Sequence, residues 1–438
     1  MKVLKFGGTS VGSSVQMKSV MNILITDSNR KIVVLSAMSG TTNSLVEIGE
    51  CIKNGDAAKG KSLAEGLKSK YYSTIDELYS DECKKKTAKN IIDDIFNTID
   101  SVINSPYTES TENIIVAQGE LMSTNMFTLL MEENAFRVKL IPALEFMKID
   151  NDKLADSKFI AENIKQYISD DIDYFITQGF ICRNDKGDID NLQRGGSDYT
   201  ATLIGGAIEA DEVEIWTDID GFHNNDPRYV EGTMKIDELS FVEAAELAYF
   251  GAKILHPQTV FPTKEKNIPV RLKNTMNPQD GGTVINSNTT RTGIKAVAAK
   301  DGITAVKVRS ARMLMAYGFM KRIFEVFDNY KTAIDMVTTS EVAVSMTIDN
   351  TKHLDGIVSE LEALGEVVVE HDYSIVCLVG NNITESTGVA QEVLSVLKDT
   401  NIRMISFGGS SHNISVLIPA KDKVDTLRRL SESLLNKA

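Results

Sequence analysis

The chain has 438 residues, 42% of them hydrophobic and 25% charged, with a formal net charge of −14. That length exceeds one compact core and predicts two or three domains, while the acid excess argues against nucleic acid or an anionic membrane as the main partner, since both demand a basic face. The four cysteines, Cys51, Cys83, Cys182 and Cys377, show no CxxC spacing; together with an N-terminus unlike a leader peptide and no apolar run of membrane-span length, they point to reduced thiols in the cytoplasm.

Up to about residue 285, short apolar runs alternate with helical stretches. The strand candidates are Lys2–Phe6, Lys31–Leu35, Asn113–Ala117, Phe136–Ile141, Asp173–Thr177, Glu212–Trp216 and Pro269–Leu272. Their nearly continuous, β-branched character suits parallel strands buried on both faces. The helical patterns between them predict a parallel or mixed, doubly wound sheet. From Leu45 to Ser105 the chain reads as a long helical excursion. A polar stretch, Asn286 to Thr292, marks a boundary. Beyond it the order is βαββαβ twice: strands at Ile303–Val308, Ala333–Val337, Val342–Ile348 and Glu366–Glu370, then at Ser374–Val379, Ile402–Phe407 and Asn413–Ile418. This is an internal duplication. The second copy lacks its last strand, and a strand between Gly293 and Val308 is expected to complete it, so that the modules interleave.

The first strand runs into Lys5-Phe6-Gly7-Gly8-Thr9-Ser10. Two glycines let backbone N–H groups approach an anion, and the following helix points its positive end there. The lysine precedes the glycines, so this is not a Walker A loop. In an open α/β sheet, ligands sit off the carboxyl ends of the strands. Ser36, Ser39, Gly40, Thr41 and Thr42 follow the second strand candidate, Gln118, Gly119 and Glu120 the third, Gln178, Gly179 and Phe180 the fifth, and Thr217, Asp218 and Asp220 the sixth. In Arg194-Gly195-Gly196-Ser197-Asp198, Ser197 is a natural N-cap, Arg194 can clamp a carboxylate bidentately, and Asp198 can pair with an ammonium or position Lys5. Arg228 can lie near phosphates; on spacing alone, Lys253 and His256 read as surface and core residues.

These motifs, with Thr217-Asp218, Asp226-Pro227-Arg228 and Gly251-Ala252-Lys253-Ile254-Leu255-His256-Pro257, resemble the aspartate kinases of the amino acid kinase family, in order and over the whole chain. The resemblance implies an α/β, carbamate kinase-like sheet sandwich at 1–292. Two ferredoxin-like βαββαβ ACT modules follow, at 293–370 and 371–438. It implies phosphoryl transfer from MgATP to the β-carboxylate of L-aspartate, the first step toward lysine, threonine and methionine. Lys5 and Asp198 are then the catalytic pair, with Asp198 orienting Lys5. Lys5, Gly7, Gly8 and Ser36 fall on the phosphates, and Thr217, Asp218, His223, Arg228 and Lys253 on the rest of the nucleotide. Thr42, Glu120, Phe180, Arg194, Ser197 and Asp198 surround aspartate. Magnesium rides on phosphates and water, with no protein ligand named.

The implied regulation is feedback by lysine, with or without threonine, through Met313, Gly318, Asp335, Thr339, Ser340 and Glu341, in a homodimer or tetramer joined through the ACT modules. Three positions depart from the family pattern: His223 stands where a tyrosine is frequent, Gln193 where a glycine is usual, and Ala316 where relatives that bind lysine carry serine. Two other readings stay open: a family member acting on glutamate, carbamate or a nucleotide, and a non-catalytic amino acid sensor. The paired ACT modules and the Arg194–Asp198 run speak against the first; joint retention of Lys5, Arg194 and Asp198 speaks against the second.

Overall fold

A computed structural model describes residues 1–193, 195–251, 255–288, 292–314 and 317–435. Its contacts divide the chain into two compact units. The first comprises Met1–Phe222, Asp237–Phe241 and Leu255–Ser287; the second comprises His223–Ile236, Val242–Ile254 and Asn288–Ala438. Two stretches between residues 223 and 254 thus group with the C-terminal half.

In the first unit the strands are β1 (Lys2–Phe6), β2 (Lys31–Leu35), β3 (Val138–Ile141), β4 (Tyr174–Gln178), β5 (Ile181–Arg183), β6 (Ile189–Asn191), β7 (Val213–Thr217), β8 (Glu238–Ser240), β9 (Val270–Asn274) and β10 (Thr283–Asn286). Eight of them form one sheet in the order β3-β4-β2-β1-β7-β9-β10-β8, and β5 and β6 form a separate hairpin. The sheet is parallel except where β10 runs antiparallel to β9. Central β1 and β2 are apolar and buried along almost their whole length, as expected of strands covered on both faces. Side chains alternate between faces. Leu4, Phe6, Val33 and Leu35 enter a core with the helices of residues 41–133; Lys5 therefore lies on the other face.

The segment Asn113–Ala117, expected as a strand, is instead inside the 25-residue helix Glu109–Glu133. Thr108 and Thr111 close its start with a capping box. Every residue from Ile115 to Glu120 is buried, and a helix buried all round shows the same unbroken apolar run as an interior strand. The same helix is long and apolar enough to cross a membrane, contrary to the expectation from the sequence. However, 83% of the qualifying window is buried, so it is a core helix. The excursion that precedes it consists of helices Thr41–Lys53, Ala57–Leu78 and Glu82–Ile103.

The second unit holds β11 (Gly293–Arg309), β12 (Val337–Thr339), β13 (Ala343–Ile348), β14 (Glu366–Asn381), β15 (Met404–Phe407) and β16 (Asn413–Pro419), in the order β12-β13-β11-β14-β16-β15. All neighbours are antiparallel. Two strands run through both modules. β11 pairs with β13 over Thr304–Arg309, while its Gly293–Lys300 half pairs with the Ile375–Asn381 end of β14, which continues to β16. The two strands read separately at Glu366–Glu370 and Ser374–Val379 are one continuous β14. Each module has its own core, one under helices Phe319–Asn329 and Leu354–Glu362, the other under Val389–Val396 and Lys423–Leu430.

Thr108→Ala should lower stability by about 1 kcal/mol in denaturant unfolding, the usual worth of a lost N-cap. An unchanged midpoint would speak for a strand at Asn113–Ala117.

Candidate functional site

The carboxyl ends of β1, β2 and β4 open on one cavity of about 340 Å³. Its character is set by how the neighbouring helices begin. Helices Ser14–Leu24, Ala57–Leu78, Glu82–Ile103, Glu109–Glu133 and Ser157–Ile164 are closed by Ser13, Asp56, Asp81, Thr108 and Asp156, whose side chains accept first-turn N–H groups. Helices Thr41–Lys53 and Gly196–Ile208 start instead at Gly40 (φ 80°) and Gly195 (φ 70°), with no side-chain cap. Left-handed backbone there favours glycine, and glycine has no group to offer the helix end. Thr41 and Gly196 give their N–H groups to the carbonyls of Met38 and Gln193. The N–H groups of Thr42, Asn43, Ser197 and Asp198 remain, and all four residues line the cavity. Two positive helix ends thus face one space.

Ser197 is not the N-cap the sequence suggested. Gly195 holds that position, so Ser197 sits in the first turn and lines the cavity. It can do so because residue 179 is glycine: a Cβ there would come within 2.5 Å of the Ser197 hydroxyl.

Lys5 projects into the same space, its Nζ 2.7 Å from Asp198 Oδ1, both side chains nearly buried. The contact is an ion pair without an aligned hydrogen bond, so the ammonium protons stay available. Glu120 accepts the Ala37 N–H at 3.1 Å through Oε1, while its buried Oε2 has no hydrogen-bond partner. Burial pushes the Glu120 carboxyl up to about 8, outweighing that N–H. Two further lining residues, Phe180 (φ 68°) and Gln193 (φ 58°), hold left-handed backbone without being glycine. Such strain costs about 1–3 kcal/mol each and clusters at functional sites. At Gln193 it explains why a glycine is usual in that position.

Of the residues singled out in the sequence, Lys5, Gly8, Ser36, Thr42, Glu120, Phe180, Ser197 and Asp198 line this cavity together. Gly7 adjoins it, donating to the Trp216 carbonyl at 3.2 Å. Thr217 and Asp218 end β7 beside β1 without lining the cavity. His223 and Arg228 belong to the second unit, where His223 Nδ1 meets the Thr233 hydroxyl and Arg228 is held by Asp226. Arg194, Lys253 and Ala316 lie outside the described residues. Met38 and Asn43 also line the cavity; no motif marked them, although both sit in the turn that follows β2.

The effector candidates fall in the second unit. Gly318 (φ 76°) starts helix Phe319–Asn329 without a side-chain cap, and Met313 packs against the first module's core. Thr339, Ser340 and Glu341 are exposed at the turn joining β12 to β13. Asp335 is buried. Its Oδ1 takes Lys300 Nζ at 2.7 Å and the Tyr249 hydroxyl at 2.5 Å, and its Oδ2 has no hydrogen-bond partner.

The amino acid kinase family profile matches residues 1–274, and an ACT domain profile matches residues 376–434. The chain is 33% identical to lysine-sensitive aspartokinase 3 of Escherichia coli, over 99% of this chain and 98% of that one. It superposes on E. coli aspartokinase III in complex with aspartate and ADP with a TM-score of 0.87, at 33% identity and 99% coverage of both chains. Aspartate kinase of Clostridium acetobutylicum follows at 0.83 and 26% identity, covering 99% of this chain and 100% of that one.

The Glu120 shift makes a pH prediction. Between the ordinary 4.5 and about 8, the folded chain keeps a proton that the unfolded chain has released, so this group's contribution to stability falls as pH rises through that window and levels off above it. Glu120→Gln should therefore lose less thermal midpoint than the unaltered chain between pH 5 and pH 8. Equal losses would place the carboxyl elsewhere.

Proposed function

This chain belongs to the aspartate kinases of the amino acid kinase family, and we propose that it transfers the γ-phosphoryl group of ATP to the β-carboxylate of L-aspartate, giving 4-phospho-L-aspartate. The observation that carries the proposal is the Lys5–Asp198 ion pair in a cavity faced by two uncapped helix ends. A carboxylate with an ordinary pKa near 3.9 is already ionised at neutral pH, so the nucleophile needs no general base. The barrier lies in bringing two anions together in line and stabilising the phosphoryl group in flight. Fixed N–H groups and a lysine supply that stabilisation.

In this reading Lys5, Gly7, Gly8 and Ser36 hold the phosphates, and Asp198 orients Lys5. Arg194 clamps the α-carboxylate, with Thr42, Phe180 and Ser197 beside the substrate. The aspartate ammonium meets Glu120, whose carboxyl ionises as that cation arrives. Thr217, Asp218, His223, Arg228 and Lys253 keep the nucleotide roles the resemblance implies. Asp198 is committed to Lys5, a donor set that suits magnesium carried by the nucleotide's own oxygens and water.

The second unit is assigned feedback by lysine, alone or with threonine, in a cytoplasmic homodimer or tetramer joined through the ACT modules. This would make the enzyme a control point for lysine, threonine and methionine synthesis. A solved E. coli relative, 33% identical and with a TM-score of 0.81 over 99% of both chains, is complexed with lysine and aspartate. Within this chain the first module suits an amino acid better than the second. Asp335 and Arg403 hold matching positions, each giving its N–H to the neighbouring strand, at Thr347 and Leu417. The first offers a carboxylate to an ammonium; the second is a cation paired with Glu370. To inhibit, the effector must bind one state of the kinase better than another.

Lys5→Ala should cut aspartate-dependent ADP release by about 100-fold or more, while calorimetry shows lysine binding unchanged. Near-normal turnover in that variant, or turnover of glutamate in place of aspartate by the unaltered chain, would overturn the reading.

A further inference from the structure

Of the helical excursion only the start of helix Thr41–Lys53 has a role above, yet a second of its helices touches the turn that lines the cavity. Helix Ala57–Leu78 buries Gly60, Ala64, Leu67, Tyr71, Thr74, Ile75 and Leu78, a stripe at helical spacing that fixes its rotation. Tyr71 is fully buried in that stripe, and its hydroxyl lies 3.0 Å from the Thr41 hydroxyl. Burial pushes the phenol well above its ordinary value and keeps it protonated. The adjacent Lys70 is exposed and gives its ammonium to the Ser39 carbonyl at 2.6 Å. Lys59 and Lys68 of the same helix pair with carboxylates. Among the described residues Lys70 has none, so its charge is not cancelled locally.

Both contacts land on the turn between β2 and helix Thr41–Lys53. Three other backbone groups of that turn are also tied down. Ser36 accepts from the Ser123 hydroxyl, Ala37 donates to Glu120, and Ser39 donates to the Gly8 carbonyl. The turn therefore joins the glycine loop after β1, the buried Glu120 and the open helix end at Thr42 and Asn43. With no side-chain cap at Gly40, something else must hold that helix end in place.

We propose that Lys70 and Tyr71 are positioning residues for the aspartate pocket, clamping the Met38–Thr41 turn so that the open end of helix Thr41–Lys53 and the Ala37–Glu120 pair meet the substrate in register. This rests on the aspartate kinase reading of the cavity. Lys70 acts from outside, by a charge-assisted bond to the turn's carbonyl; Tyr71 acts from inside, by the hydroxyl pair.

The test is steady-state kinetics on the full chain with Lys70→Met, Lys70→Arg, Tyr71→Phe and Arg194→Ala. Lys70→Met keeps the aliphatic stem at an exposed position, so the fold should be unaffected. It is expected to raise the KM for aspartate about fivefold, since small displacements of positioning groups weaken substrate alignment, with kcat within about twofold and the thermal midpoint unchanged. Lys70→Arg should restore KM. Tyr71→Phe should raise KM in the same sense; if it fails to fold, the Lys70 pair decides alone. An unchanged aspartate KM in Lys70→Met, with Arg194→Ala raising it, overturns the inference and leaves the aspartate reading standing. If neither variant moves KM, that reading falls as well.

Discussion

The structure of the active cavity depends on two helices that begin without caps. Five other helices of the first unit are closed at their start by a serine, threonine or aspartate. At Gly40 and Gly195 nothing does, and four N–H groups are left facing one space with the Lys5 ammonium. A helix end with glycine in the cap position is less stable than a capped one, by a few tenths of a kcal/mol. Keeping two of them beside a buried lysine is reasonable only where an anion completes the arrangement. The strained backbone at Phe180 and Gln193 belongs to the same arrangement, since both residues line that space.

A chain with a net charge of −14 can still gather anions, because the relevant field is local. Lys5 is nearly buried, and each helix end adds a partial charge where little water screens it. Asp198 supplies the counter-charge to Lys5 in that setting, since a buried cation without a partner is costly. Glu120 shows the opposite treatment: burial pushes its carboxyl up to about 8.

Much of this was legible in the sequence, and the failures have physical causes. Apolar β-branched runs marked β1, β2, β4, β7 and β9, because interior parallel strands allow little else. The same signal misled at Asn113–Ala117, where a helix enclosed on every side loses its polar face. The glycines at 40 and 195 were visible, but Ser197 drew the cap assignment, because a hydroxyl two residues on looks like a cap until the backbone places it inside the first turn. Motifs found the lysine, the carboxylates and the glycine loops, whose chemistry is specific. They missed Met38 and Asn43, which line the cavity by location alone. The duplication showed through its repeated pattern, and a strand between Gly293 and Val308 was expected to complete the second copy; that Glu366–Asn381 is one unbroken strand depends on pairing that no local signal encodes.

The most direct test of the central claim is amide hydrogen exchange, read residue by residue, with and without ADP and aspartate together. The account predicts that the amides of Thr42, Asn43, Ser197 and Asp198 become protected on loading, while those at the capped start of helix Ser14–Leu24 do not change. Bound ligands that leave all four amides exchanging as before would contradict it.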